Sequence, residues 1–136
     1  MGKINFDELC LVGMNIDREN GTYKLMEATF GIKEWYILFE TVTNNSPKPI
    51  VGSINNGFWI FGFTEPNRAK KFMKKMNITG AILQMEPKSC VLWLKNYKAS
   101  GIKGIRFNEE GKLGWNVTID NLVYYKGLFK DANRGN

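Results

Sequence analysis

The chain has 136 residues, of which 43% are hydrophobic and 24% charged, with 19 Lys and Arg against 13 Asp and Glu. This length and composition exclude a fibrous or wholly disordered chain and are typical of one domain that buries a core without disulfides or metals. Histidine is absent, which excludes Ser-His and Cys-His nucleophile pairs and the commonest zinc ligand. We therefore expect a non-enzymatic protein with no cofactor, catalytic residue or metal site.

The N-terminal sequence and the cysteines indicate a cellular compartment. Asp7 and Glu8 interrupt the apolar stretch that a secretory signal would need, and no segment is as long and apolar as a membrane span. Cys10 and Cys90 are too few and too far apart for a disulfide framework, so they predict two buried free thiols. We expect cytoplasmic residence with no membrane span.

The first half of the chain is predicted to contain a helical segment, a buried strand and a hairpin. We expect helices within 1–32 and a proline-containing surface loop over 41–49. The run 33–40 is apolar on both faces, which indicates a central strand. The Asn-Asn-Gly sequence at 55–57 predicts a β-hairpin over 50–63, because Asn and Gly tolerate the positive φ of tight hairpin turns.

A basic amphipathic helix is predicted to follow the hairpin, over 65–76. Thr64 is its candidate N-cap, and Pro66 suits its first turn, where the missing N–H is not needed. Apolar residues recur at i, i+3, i+4 and i+7, which predicts one stripe that packs on the sheet. The stripe consists of Ala69, Phe72, Met73 and Met76.

The second half of the chain is predicted to alternate between strands and helices. Pro87 is expected to open a helix that continues to Gly101, where a glycine suits the end of a helix. The remaining predicted elements are strands over 81–86, 103–108 and 115–118, a turn over 109–114 and a helix over 119–125.

These elements predict an α/β (α+β) fold. Two successive strand–helix–strand units imply partly parallel pairing, and the hairpin adds antiparallel strands. We expect a mixed β-sheet with an antiparallel hairpin and βαβ units, and helices packed on the sheet. A single domain would span 1–136, with an N-terminal helical segment over 1–32, a core over 33–126 and a frayed tail over 127–136.

Two segments, FWIFGFTEPNRAKKF and SGIKGIRFNEEG, carry a resemblance to a known family. Together they resemble the N-terminal domain of the SseB (enhanced serine sensitivity) family, over residues 33–126. The matching positions are Phe63, Thr64, Glu65, Ala69, Phe72, Gly104, Phe107 and Asn108. These positions cap, pack or turn the chain, so the resemblance implies an SseB-like fold and locates no active site. The basic helix departs from the family pattern.

Two possible reactive groups have simpler structural explanations. Glu109 and Glu110 are adjacent in a predicted turn, where they would point apart and form a solvated tip. Cys90 lies near the start of the Pro87 helix, whose dipole could lower its pKa, but it also shares an apolar face with Leu94. We favour a solvated pair of glutamates and a buried, inert thiol.

Two short segments superficially match RNA-binding motifs. The GIKG sequence at 101–104 is similar to a KH-type loop, but such a loop joins two helices and Gly104 leads into a strand. Phe58, Trp59 and Phe61 have the density of an RNA-stacking strand, but they alternate across both faces of a predicted buried strand. Core packing is the favoured interpretation of both.

Positive charge is concentrated in the middle of the chain. Residues 64–106 contain 10 Lys and Arg and only 2 Asp and Glu. Five of these basic residues lie off the apolar stripe of the helix over 65–76 and are expected to face solvent together. They are Arg68, Lys70, Lys71, Lys74 and Lys75. Such a face either solubilises the helix or binds an anionic partner.

Two functional hypotheses follow, beside a less favoured third, an enzyme that works without histidine. The first is a non-enzymatic module of SseB type that binds a protein partner in a regulatory or immunity-type role. The alternative is a sequence-tolerant nucleic-acid-binding protein that uses the basic helix over 65–76. The two differ in whether binding to any polynucleotide falls steeply with salt.

Overall fold

The computed structural model describes residues 4–15, 18–40 and 48–129. The helices are α1 (Phe6–Asn15), α2 (Arg18–Gly31), α3 (Pro66–Met76), α4 (Pro87–Leu94) and α5 (Ile119–Leu128). The strands are β1 (Trp35–Glu40), β2 (Val51–Ile54), β3 (Gly57–Phe63), β4 (Gly80–Met85), β5 (Ile102–Phe107) and β6 (Trp115–Thr118). Within the described ranges, no helix is both long and apolar enough to cross a membrane.

The strands form one mixed sheet in the order β4-β1-β3-β5-β6, with β2 paired to β3. β3 and β5 are parallel, and the other pairs are antiparallel. β3 and β4 run in the same direction on either side of β1, so the β3–α3–β4 unit crosses over one antiparallel strand. The predicted α/β fold with a mixed sheet, a hairpin and βαβ units is confirmed.

The helices cover the two faces of the sheet unequally. α1, α2, α4 and α5 pack on one face, where Trp35 and Ile105 are fully buried in a large apolar cluster. Of the described helices, only α3 packs on the other face, against a smaller cluster that includes Leu38 and Phe63. This second face therefore depends on few side chains of a single helix.

The hairpin turn is the feature that the sequence predicted best. Asn55 and Asn56 have φ values of 49° and 65°, which both lie in the left-handed region that a two-residue hairpin turn requires. Phe58 departs from the prediction, because it is 55% exposed rather than buried. The register of β3 against β5 shifts between Phe58 and Trp59, where β5 accommodates Lys103 as an extra residue.

The ends of several elements differ from the prediction. The α-helix that begins at Pro87 ends at Leu94 and continues as a 3₁₀ helix, Lys95–Ser100, before Gly101 with φ 90°. α5 extends to Leu128, and Phe129 is buried against Phe30, so the core continues beyond residue 126. Residues 41–47 of the loop predicted over 41–49, and residues 130–136 of the tail predicted over 127–136, lie outside the described residues.

Thr64 ties β3 to β5 and does not cap α3. The N-cap is Glu65, whose side chain makes no capping hydrogen bond. The Thr64 backbone N–H donates to Asn108 Oδ1 at 3.0 Å, and Asn108 Nδ2 donates to Thr64 Oγ1 at 3.0 Å. Asn108, with φ 56°, also donates its backbone N–H to the Gly62 carbonyl at 3.0 Å. The predicted cap was wrong because a buried partner distant in sequence satisfies Thr64.

The apolar stripe of α3 is confirmed in its first two turns and wrong at its end. Ala69 and Phe72 are buried, Met73 is partly buried, and Met76 is 54% exposed. The difference arises because α3 ends at Met76 and the chain turns away at Asn77, which has φ 54°.

Phe72 is the residue that anchors α3 to the sheet. Its ring centroid lies 4.8 Å from that of Phe61 and 5.6 Å from that of Phe63. We expect Phe72→Ala to lower the free energy of unfolding by about 3–5 kcal/mol in urea denaturation, because it opens a cavity in a small cluster. Met76→Ala is the matched control and is expected to change it by less than about 0.5 kcal/mol. A loss below about 1 kcal/mol for Phe72→Ala would contradict this packing.

Candidate functional site

A cleft of about 590 Å³ lies beside the first turns of α3, near the end of β5. One of its residues comes from α1 and one from the turn after β5, and the others come from α3 or its N-cap. The lining residues are Asp7, Glu65, Asn67, Arg68, Lys70, Lys71, Lys74 and Glu110. The cleft therefore combines both signs of charge.

Arg68 does not face solvent with the lysines, as the sequence predicted. Its side chain is only 18% exposed and contacts three carboxylates. Arg68 Nη1 lies 2.8 Å from Glu110 Oε2 and 3.2 Å from Asp7 Oδ1, and Arg68 Nε lies 3.6 Å from Glu65 Oε1. The prediction failed because two of these carboxylates come from other elements that the helical pattern cannot show.

The carboxylates keep Arg68 charged despite its partial burial. Burial by itself would lower the pKa of the guanidinium, but hydrogen bonds and charge from Asp7 and Glu110 outweigh it and raise the pKa above its ordinary value. Arg68 therefore joins α1, which covers one face of the sheet, to α3, which covers the other.

Glu110 is not part of a solvated tip, so the prediction for the Glu109–Glu110 pair was wrong for this residue. Its side chain is 9% exposed, and its Oε1 atom is buried without a hydrogen-bond partner among the described residues. Burial raises the pKa of Glu110, and the charge of Arg68 opposes that rise only in part. Glu109 points elsewhere and contacts Arg106 Nε at 2.7 Å.

The other four predicted site residues form an exposed surface on α3, which we call the lysine face. It consists of Lys70, Lys71, Lys74 and Lys75. Within the described ranges, these lysines make no salt bridge, and three of them line the cleft. Lys74 and Lys75 lie in the last turn, where the helix dipole favours positive charge. Lys70 and Lys71 have no such compensation, and they lie three or four residues before Lys74, which places like charges side by side.

Both cysteines are buried and form no disulfide, as the sequence predicted. Cys90 is fully buried, and burial raises the pKa of its thiol to about 12. Burial also raises the pKa of Cys10, although Arg106 opposes this. Since the thiolate is the nucleophilic form, these environments disfavour reactivity at neutral pH.

The cleft brings together residues that the sequence analysis did not connect. Asp7 and Glu110 are separated by about a hundred residues, and no local pattern indicates that both would contact Arg68. Although three carboxylates surround Arg68, the described part of the chain contains no group of three or more ligating side chains that could hold a metal ion. The arrangement is suited to binding charged groups.

Comparisons with known proteins do not assign the chain to a family. It matches no protein-family model, no curated protein and no solved structure. The resemblance to the SseB family stays a prediction that rests on the residues quoted from the sequence. A functional assignment therefore starts from the geometry of the cleft.

We expect the effects of changing Arg68 and Glu110 on the free energy of unfolding to depend on each other. Arg68→Met leaves a buried carboxylate without its partner, so we expect a loss of about 2–3 kcal/mol in the free energy of unfolding. The double variant with Glu110→Gln should recover part of that loss, since no uncompensated charge remains. Lys71→Met, an exposed cation of the same helix, is the control and should be close to neutral. Additive effects of the two changes in urea denaturation would contradict the pairing.

Glu110 is also expected to make stability depend on pH. Its pKa in the folded protein lies above the ordinary value of 4.5, so the folded state binds a proton more tightly than the unfolded state. The stabilisation by this group is complete below pH 4.5 and is lost as pH rises through the folded pKa. Relative to wild type, Glu110→Gln should therefore become more stable as pH rises from 4.5 to neutral. Urea melts across this range measure the difference, with Glu109→Gln as the control for losing one carboxylate, and an opposite trend would refute it.

Proposed function

We propose that this protein is a non-enzymatic binding module that docks an acidic segment of a protein partner against the lysine face of α3. The observation that carries the proposal is a set of exposed lysines along one wall of an open cleft, which make no salt bridge with the described residues, while Arg68 beside them contacts three carboxylates. An SseB-like module of regulatory or immunity type would use such a surface.

The position of the cleft in the sheet supports a binding role. It lies where the parallel strands β3 and β5 end. From there the chain leaves β3 toward β4 at one edge of the sheet and leaves β5 toward β6 at the other. In open α/β sheets, ligands commonly bind in the crevice that forms where successive connections diverge in this way.

The mixed charge of the cleft favours a protein over a polynucleotide. Lys70, Lys71 and Lys74 would attract carboxylates or phosphates equally well. However, Asp7 and Glu65 lie in the same cleft with side chains that are 50% and 38% exposed. A phosphate backbone carries one sign of charge along its length and would be repelled there. A protein segment can offer acidic groups to the lysines and a neutral or basic group to the carboxylates.

A charge-reversal series tests the proposal with defined probes. We expect a fluorescein-labelled oligoglutamate peptide to bind the wild type with an affinity that falls with salt. The triple variant Lys71→Glu, Lys74→Glu, Lys75→Glu should lose roughly tenfold or more in affinity. The control variant Lys24→Glu, Lys95→Glu, Lys112→Glu has the same net charge and should keep binding within about twofold. Equal losses of peptide affinity in both variants would mean that net charge alone controls binding. That result would contradict a specific role for the lysine face.

Duplex DNA in the same assay separates the alternative. If the lysine face binds nucleic acid, about three phosphate contacts predict a slope of log affinity against log salt near −2 to −3. DNA binding that is tighter than peptide binding at equal salt, and lost in the Lys71, Lys74, Lys75 variant, would favour the nucleic-acid function. We expect the peptide to bind more tightly.

Site-specific photo-crosslinking then tests the partner class in the cells that make the protein. A photoreactive residue at position 71 should crosslink to an acidic protein, and Lys74→Glu with Lys75→Glu in the same chain should abolish the product. A photoreactive residue at position 24, on α2, is the control and should not give this product. A nucleic-acid adduct at position 71 would overturn the proposal.

A further inference from the structure

β4 (Gly80–Met85) forms one edge of the sheet, and β1 is its only partner among the described strands. The two strands pair over all six residues of β4 without a shift in register. The N–H and C=O groups of β4 that point away from β1 therefore have no strand partner in the described part of the chain.

The sequence of β4 does not protect this edge against pairing with another chain. Edge strands of soluble proteins are usually protected by charged side chains, proline, a bulge or short length. β4 has the sequence GAILQM, which contains no charged residue and no proline, and its regular register excludes a bulge. At the opposite edge, β6 has only four residues and leads directly into α5. β4 is thus the longer end strand and is open to an added strand.

The side chains of β4 offer apolar surface to an added strand. Ile82 packs in the smaller cluster beneath α3, and Met85 packs against the larger cluster on the other face. Leu83 lies between them in sequence and is 39% exposed. A strand next to β4 would place its own alternating side chains beside both faces and cover part of Leu83.

α3 places lysines on the side of the sheet where this edge lies. The helix packs over β1, β3 and β4. Arg68 reaches in the opposite direction, to Glu110 in the turn after β5. Since an α-helix turns by about 100° per residue, Lys70 lies about 200° around the helix from Arg68, on the side toward β4. Lys74 follows four residues later on nearly the same side, and both lysines are exposed.

The charge of this region favours an acidic chain over a second copy of the protein. Residues 64–106, which include α3 and β4, contain 10 Lys and Arg and 2 Asp and Glu. Two copies that paired through β4 would bring two of these positive stretches together. An acidic chain would instead be attracted to one of them.

We propose that the acidic segment of the partner binds as an extended strand that adds to the open edge of β4. Its main chain pairs with the β4 backbone, and every second side chain points to the α3 side of the sheet, where acidic residues meet Lys70 and Lys74. This inference rests on the proposed function, and it specifies the conformation of the bound segment and the second surface that holds it.

Backbone N-methylation of a probe peptide tests strand addition. In an extended fluorescein-labelled peptide of alternating Glu and Val, the Val N–H groups point to one edge and the Glu N–H groups to the other. Methylating all Val or all Glu nitrogens therefore blocks one edge and keeps every side chain and charge. We expect one methylated peptide to lose roughly tenfold or more in affinity and the other to stay within about threefold of the parent. Equal affinities of the two methylated peptides would overturn the proposal.

A charge variant tests the side of α3 that the added strand faces. Lys70→Glu should weaken binding of the unmethylated peptide about fivefold. Lys95→Glu, an exposed lysine just after α4, gives the same net charge and should stay within about twofold. Equal losses in the two variants would overturn the assigned contact with Lys70.

The peptide assays also separate this inference from the proposed function. If the alternating peptide and the oligoglutamate peptide both fail to bind, the proposed function itself is wrong. If both bind, depend on the lysine face and ignore which edge is methylated, the lysine face stands and the strand on β4 is wrong.

Hydrogen exchange and sedimentation equilibrium test the occupant of the edge. We expect the protein without peptide to be a monomer, and we expect the alternating peptide to slow exchange of the β4 amides that point away from β1. A dimer in which these amides are already protected would show that a second copy occupies the edge, and it would overturn the proposal. Unchanged exchange in β4 at saturating peptide would overturn it as well.

Discussion

The buried hydrogen bonds between Thr64 and Asn108 hold together the point at which the two parallel strands end. Both side chains are almost fully buried, and together they bind across 44 residues of sequence. Thr64 directs the chain from β3 into α3, while Asn108 turns it from β5 toward β6. A buried polar group is costly unless it is paired, so each of these residues needs the other as a hydrogen-bond partner at the point where the chain leaves its strand. The start of α3 and the turn after β5 are therefore placed side by side.

That placement accounts for the division of charge in the cleft. Arg68 lies in the first turn of α3, and Glu110 lies two residues after Asn108. The hydrogen bonds between Thr64 and Asn108 therefore bring Arg68 Nη1 to 2.8 Å from Glu110 Oε2. α1 adds Asp7 from the opposite face of the sheet. The Arg68 guanidinium contacts carboxylates from α1, from the N-cap of α3 and from the turn after β5. The lysines of α3 stay exposed. Five basic residues that the sequence places on one helix thus become one structural arginine and four exposed lysines that make no salt bridge with the described residues.

The described helices cover the two faces of the sheet unevenly. Among the described helices, only α3 packs on its face of the sheet, where Phe72 and few neighbours hold it, and its lysines are exposed. Four helices pack on the other face, around the large apolar cluster that includes Trp115. The lysine face therefore lies on the side of the sheet that fewer described helices cover.

Local patterns in the sequence determined the element types, the hairpin turn at Asn55 and Asn56, the anchoring role of Phe72 and the burial of both cysteines. Each of these depends on periodicity, turn chemistry or hydrophobicity within a few neighbouring residues. Only the tertiary structure decided the roles of Thr64, Arg68 and Glu110, because their partners are distant in sequence and the same residues suit a cap, a solvated helix and a solvated turn. Burial removes water from these polar groups, so the partner that replaces the water, and not the local pattern, sets what each one does.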